Sequence, residues 1–315
     1  MQVDNLAKGF GLDSFVVLST IKGGNSFVHK ILHDGETYAI KQYIGTPERQ
    51  NRSLNYESTA LYFLNETKII RCPEILGCNV HSPSILYRWV EGVLEFETSK
   101  VKETIGTTIQ KLSASNLVDK YPLNAIDSVF NSDDLFSQLR LRFDDISKIG
   151  GLPLQLLGEI ESVYDYIKTR FPSKTIYSSI LLSLSDYGPH NLIRNEDQGC
   201  THIDFEFFGV DSHVKVYSDL FCHPKSIFTS IEIREMLRQN HSSKTLEEEI
   251  FSVLPAIALK WVFIVLRRYI NWETMEYESN VLSFSNPSDY LAYTKYLLLL
   301  RKFDEVITYS EFESL

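Results

Sequence analysis

Hydrophobic positions in the first ninety residues alternate with polar ones in short runs. Asp13–Ile21 (DSFVVLSTI), Phe27–Leu32 (FVHKIL) and Thr37–Ile44 (TYAIKQYI) have strand-like texture. Gly23-Gly24-Asn25-Ser26 separates the first two, and His33-Asp34-Gly35-Glu36, a turn of the Asp-Gly type, separates the second pair. The period then changes. In RQNRSLNYESTALYFLNET the positions Leu54, Thr59/Ala60, Leu61 and Leu64 fit one helical face better than a strand. Ile75–Val80 and Ile85–Val90 return to strand texture, and Gly92 closes the region. Residues 1–90 are therefore expected to form a small sheet carrying one helix.

The remainder reads as mainly helical. Leu154–Thr169, Leu246–Tyr269 and Tyr290–Phe303 carry the period, the last preceded by the start signal Asn286-Pro287-Ser288-Asp289. One island interrupts this half, Leu181–Ile193 and Gly199–Asp211, read as two short strands and their loops joined through the turn at 194–199. The most apolar stretch, Ile250–Ile270, is broken by Pro255 and Lys260. Its uninterrupted portion is shorter than the roughly 20 residues that span a bilayer, so a buried helix is expected.

Composition narrows the partners. The 315 residues allow one large domain or two ordinary ones, and 43% hydrophobic content supports a full core. A formal charge of −10 argues against nucleic acid or an anionic membrane as the main partner. It would suit a cationic acceptor or a metal-bound nucleotide, and equally an ordinary solvated surface. Cys72, Cys78, Cys200 and Cys222 form no C-x-x-C pair and match no zinc framework, so they read as buried or incidental thiols of a reducing compartment. The N-terminal stretch has no basic region followed by a long apolar run, so a secretory leader is not expected and the cytoplasm is.

Candidate chemistry lies in the island. Asp186 and Asn191 are five apart in a loop stiffened by Gly188 and Pro189, and Asp204 follows the apolar strand Thr201-His202-Ile203. Phosphoryl transfer from a nucleotide needs a carboxylate to orient the acceptor hydroxyl and oxygen ligands to hold Mg²⁺ on the phosphates. A D-x-x-x-x-N loop followed by a returning Asp supplies both, although Asp and Asn also crowd ordinary turns. In the first region, Lys41 sits inside the apolar strand Tyr38-Ala39-Ile40-Lys41, and Glu57 lies sixteen residues later on the helix. Kinase folds pair such a strand Lys with a helical Glu to hold the α/β-phosphates. An edge-strand lysine with its head in water is the plainer alternative. Gly23, Gly24, Asn25 and Ser26 stand where a backbone-rich phosphate cover belongs.

Leu184-Ser185-Asp186-Tyr187-Gly188-Pro189-His190-Asn191 and Ile203-Asp204-Phe205-Glu206-Phe207-Phe208-Gly209-Val210-Asp211 resemble the catalytic and metal-binding loops of the aminoglycoside phosphotransferase and choline kinase superfamily. The match is to its bacterial branch with S-D-F-G-x-H-N and D-F-E-Y-F-G-W-D segments. Lys215, Asp219, His223-Pro224 and Leu259–Leu266 continue that pattern, whereas the first ninety residues match in layout only. The resemblance implies an α+β, bilobal protein-kinase-like fold, with a nucleotide-binding lobe at 1–90, a hinge at 86–92 and a helical lobe at 91–315 that carries the acceptor site. It implies Asp186 as catalytic base, Asn191 and Asp204 as Mg²⁺ ligands, and Lys41 on the phosphates with Glu57 as its partner. Leu86, Arg88 and Val90 would offer backbone groups to the base of ATP or GTP, and Asp219 would brace the catalytic loop. The acceptor would be a small hydroxylated molecule, a sugar or sugar derivative before an amino alcohol. The wider superfamily usually has His two residues before the catalytic Asp. Leu184 stands there instead, a difference the closer branch shares.

Two rival readings remain. A pseudokinase would bind nucleotide or a partner without turnover, and the retained Asp186, Asn191, Asp204 and Lys41 weigh against it. A protein kinase ranks lower, because no A-P-E-type segment follows Asp204. His190 either orients the loop or touches substrate. His202 could pair with Asp204 on a metal but reads better as structural. Trp261, Tyr269 and Trp272 read as core before they read as a cation–π pocket.

Overall fold

A computed structural model of the chain describes residues 3–94, 97–149, 152–170, 175–177, 179–197, 199–223, 226–240, 244–270 and 287–299. It is a mixed α/β structure with an N-terminal antiparallel sheet and a larger helical part. These residues divide into two compact units, one comprising Met1–Ile126 and Leu184–Gly209, the other the rest of the described chain.

The first unit is built on a five-stranded sheet of β1 (Val16–Lys22), β2 (Ser26–His33), β3 (Glu36–Tyr43), β4 (Ile75–Asn79) and β5 (Ser84–Arg88), in the order β1-β2-β3-β5-β4 with antiparallel neighbours. The β2–β3 hairpin closes on Asp34 and Gly35, both at positive φ (49° and 80°). That is the two-residue turn whose twist matches the strands, and it explains the Asp-Gly pair. The single helix expected here is α2 (Pro47–Thr67). Thr46 caps its start by accepting from the Arg49 amide, Pro47 occupies the first turn, and Lys68 ends it in left-handed backbone at φ 54°. Its buried side chains, Leu54, Glu57, Ser58, Leu61 and Leu64 among them, recur at helical spacing.

The sheet also carries a helix that periodicity could not reveal, α1 (Val3–Lys8), only six residues long. Leu6 and Ala7 are fully buried and join Leu12, Ile31, Ile40 and Leu86 in one apolar cluster. After β5 come β6 (Val93–Leu94) and α3 (Thr98–Ala114).

Where two strands were expected in the island, there are four. β7 (Ile180–Ser183) pairs with β10 (Gly209–Ser212), while β8 (Leu192–Arg194) and β9 (Cys200–His202) form a hairpin joined by β6. Each is three or four residues long, too short to show alternation.

In the second unit, α4 (Ser132–Ile149), α5 (Leu154–Arg170), α6 (His213–Cys222) and α9 (Pro287–Leu299) pack on α8 (Lys244–Ile270), and α7 (Ser230–Asn240) packs on α6. The helix expected over Tyr290–Phe303 starts three residues earlier, and its last four positions lie outside the described residues. The expectation that the apolar run of α8 is too short to span a bilayer is corrected. Thr245–Arg267 is long and apolar enough by length and composition, because Pro255 and Lys260 are accommodated inside one continuous helix. Its most apolar window is 72% buried within the protein, as a core helix that is apolar on all sides should be. Of the four free cysteines only Cys222 is buried, and Cys78 is exposed.

Candidate active site

Lys41 lies on β3, flanked by β2 and β5, and is 4% exposed. It is not an edge lysine. A buried, unpaired ammonium would be costly, and this one is paired twice. Its Nζ donates to Glu57 Oε2 and to Asp204 Oδ1, at 2.6 Å in each case. Tyr43, two residues further on the same strand, donates its hydroxyl to the same Glu57 oxygen at 2.7 Å.

Burial alone would pull Lys41 down. Asp204, then Glu57 and Glu206, outweigh it and hold the ammonium well above the ordinary lysine value. Burial pushes the Glu57 carboxyl up, against the pull of Lys41. Burial, then the neighbouring Asp204, does the same to Glu206.

The β8–β9 hairpin positions the acidic loops. Register Leu192↔His202 sets Asn191 beside Ile203, whose amide donates to the Asn191 carbonyl at 2.9 Å. Asn191 is 5% exposed, and its Nδ2 donates to the Asp186 carbonyl at 3.4 Å. Asp186 Oδ1 accepts the Gly188 amide at 3.0 Å. The backbone is left-handed at Ser185 (φ 60°) and Asp204 (φ 66°), neither of them glycine. Such strained positions cluster where a surrounding fold forces a geometry.

His190 packs over Gly188, where an added Cβ would lie 1.9 Å from its ring, and Nε2 is 3.4 Å from Asp186 Oδ2. His202 is buried and shares a 2.8 Å hydrogen bond with Thr108 Oγ1. Burial drives it down to about 4, so it is a neutral, structural imidazole.

The turn after β1 folds tightly, the Gly23 amide donating to the Ser26 carbonyl at 2.7 Å. The Asn25 carbonyl accepts from Ile44, and Asn25 Nδ2 donates to Glu206 Oε1. Leu86 pairs with Ile40 in the sheet. The amides of Arg88 and Trp89 donate to Glu74 and Thr37, and the Arg88 guanidinium pairs with Glu74 and Glu36 at the surface. Val90 is half-buried, and Asn195 Nδ2 donates to the Glu91 carbonyl at 3.0 Å.

Thus Lys41, Glu57 and Asp204 meet directly, Asp186 and Asn191 share one loop, and every one of these residues belongs to the first unit. Sequence reasoning missed Glu206 and Tyr43, although Glu206 stands only two residues beyond Asp204.

In the second unit, Asp219 accepts from Trp261 Nε1 at 2.8 Å and pairs with Lys215 at 2.9 Å. His223 meets the Trp261 ring edge-on at 5.2 Å. Tyr269 is half-buried. Pro224 and Trp272 lie outside the described residues.

No protein-family model and no curated protein sequence matches the chain. Solved structures do. The choline kinase LicA from Streptococcus pneumoniae aligns over 96% of this chain and 98% of its own, with a TM-score of 0.61 at 14% identity. A choline/ethanolamine kinase family protein from Mesorhizobium loti aligns over 97% of each chain, with a TM-score of 0.60 at 14% identity. The gentamicin complex of the aminoglycoside phosphotransferase APH(2")-IIa aligns over 94% of each, with a TM-score of 0.61 at 16% identity. The chain therefore has the fold shared by choline kinases and aminoglycoside phosphotransferases.

Proposed function

We propose that the protein is a cytoplasmic small-molecule kinase of the aminoglycoside phosphotransferase and choline kinase superfamily. It transfers the γ-phosphoryl group of ATP or GTP to a hydroxyl of a sugar, sugar derivative or amino alcohol. The observation that carries this reading is the buried Lys41–Glu57 pair with Asp204 on the same ammonium. The fold supports it, since LicA has been solved with AMP and APH(2")-IIa with streptomycin and ATP.

The donors suit Mg²⁺. Asp204 keeps a side chain 37% exposed, and Asn191 spends its Nδ2 on Asp186, which leaves Oδ1 to act as ligand. Two oxygen ligands are what this hard cation takes from a protein when phosphates complete its shell. When bound, the metal neutralises the charge that develops on the phosphates. The chain's own residues do the rest. Lys41 holds the α/β-phosphates, kept straight by Glu57 and Tyr43. The Gly23–Ser26 turn covers them with backbone amides. Residues 86–92, the end of β5 and the chain that follows it, serve as the hinge and lie against the base, through Leu86, Arg88 and Val90. The helical part contributes the acceptor site. Asp186, held by the Gly188 amide, orients the acceptor hydroxyl and takes its proton.

The test is nucleotide turnover against a panel of sugars, amino alcohols and aminoglycosides, followed by Asp186→Asn. That variant should bind Mg·nucleotide as the parent does, by calorimetry, yet lose on the order of 10²-fold or more in kcat. A parent that transfers to no acceptor supports the pseudokinase reading instead. Equal kcat in parent and variant removes Asp186 from the mechanism.

A further inference from the structure

Glu206 is 3% exposed, yet neither Lys41 nor any other cation is bonded to it among the described residues. Its Oε1 instead takes the side-chain amide of Asn25, from the glycine-rich turn 181 residues away in sequence, and its buried Oε2 has no hydrogen-bond partner among the described residues. Backbone bonds also tie the turn, the Gly23 amide to the Ser26 carbonyl and the Ile44 amide to the Asn25 carbonyl. A turn beginning Gly-Gly has few side chains with which to fix itself, and glycine loses more freedom on ordering than any other residue.

We propose that Asn25 and Glu206 form a latch that pins the glycine-rich turn to the acidic loop carrying Asp204, with both acting as positioning residues for nucleotide binding. The inference deepens the nucleotide-binding reading and rests on it. A turn already held in place gives up little entropy when phosphates dock, so the latch strengthens nucleotide affinity more than it speeds the chemical step. The bond joins a neutral donor to a carboxylate, which makes it stronger than an amide–amide contact.

The test exploits the polarity of the pair. Asn25→Asp sets two carboxylates against each other, Asn25→Ala removes the donor, and Asn25→Asp with Glu206→Gln restores one donor and one acceptor in reversed order. Amide hydrogen exchange at residues 23–26 is measured without nucleotide, and Mg·ATP binding by calorimetry. Both single variants should exchange faster in the turn and bind Mg·ATP about tenfold more weakly, the scale of one charge-assisted hydrogen bond. The double variant should return both readouts to within about threefold of the parent.

Unchanged exchange in both single variants overturns the latch, as does a double variant no better than Asn25→Asp. Tighter binding by Asn25→Ala also overturns it, because the contact would then obstruct the site. A parent that binds no Mg·ATP sinks the nucleotide reading and the latch's purpose with it, while the exchange data still report whether the contact holds the turn. The two failures are therefore distinguishable.

Discussion

Each unit buries a cluster of charge, and the two clusters are balanced differently. In the second unit Lys215 lies 3.0 Å from Asp211 and 2.9 Å from Asp219, while Lys260 and Arg142 both face Asp127. Three cations meet three carboxylates. Backbone amides of Val129 and Ser212 add hydrogen bonds to Asp211, and Trp261 adds one to Asp219. In the first unit, among the described residues, Lys41 alone faces Glu57 and Asp204, with Glu206 close enough to act on it. A balanced buried network needs nothing further and reads as architecture. One with carboxylates in excess gains from an added cation, and an unbalanced, perturbed cluster is the better candidate for a site.

The sharpest way to break this contrast is to remove one carboxylate from the unbalanced cluster. Asp204→Ala should cost on the order of 10³-fold in turnover, the several kcal/mol that a bound metal supplies. Its melting temperature should nevertheless hold or rise, since Lys41 keeps Glu57 and one like charge is gone. Thermal unfolding and turnover measured on the same preparation check both halves. A cooperative loss of stability with turnover intact would reclassify the cluster as architecture.

The same operation on the balanced cluster should do the opposite. Lys215→Met strands Asp211, which is fully buried, together with Asp219. Breaking a buried pair in this way costs about 3–5 kcal/mol. Denaturant unfolding should show that loss, and whatever enzyme remains folded should keep the parent's nucleotide affinity. A stable Lys215→Met protein with weakened nucleotide binding would invert the comparison.

How legible this was in the sequence depended on the range of the interaction. The β2–β3 turn was readable because Asp34 and Gly35 meet a local backbone demand, and α2 because Leu54, Leu61 and Leu64 repeat over about three turns. Lys41, Glu57 and Asp204 were readable as candidates because an ammonium in an apolar strand needs partners, and their order along the chain matched a known chemistry. Their meeting is a tertiary fact, spanning 163 residues between Lys41 and Asp204. Glu206 was passed over because a Glu flanked by Phe205 and Phe207 announces burial but not its partner, and Asn25 read as turn chemistry alone. The division of the island's two expected strands into four, β7 to β10, and helix α1 escaped because three to six residues hold too little of any period.

The smallest effect lies at Lys260, where the balanced cluster should reveal its cost. Burial, then the charge of Lys215, brings its ammonium down to about 8, against the support of Asp127 and Asp219. An unfolded lysine titrates near 10.4. Between about pH 8 and 10 the unfolded chain therefore binds more protons at this position than the folded one does. Stability attributable to the group must then rise with pH through that window, and below it the folded state carries the full burden of a buried charge. Other groups titrate in the same range; burial raises the Cys222 thiol, for example, which works in the opposite direction. The informative quantity is accordingly the difference between parent and Lys260→Met. Measured by denaturant unfolding at a series of pH values, parent minus variant should grow in the parent's favour by about 1 kcal/mol per pH unit from roughly 8 to 10, and stay level from 6 to 7. A difference that is flat across the whole range would mean that Lys260 keeps an ordinary affinity for its proton. The second cluster would then hold its third cation without strain.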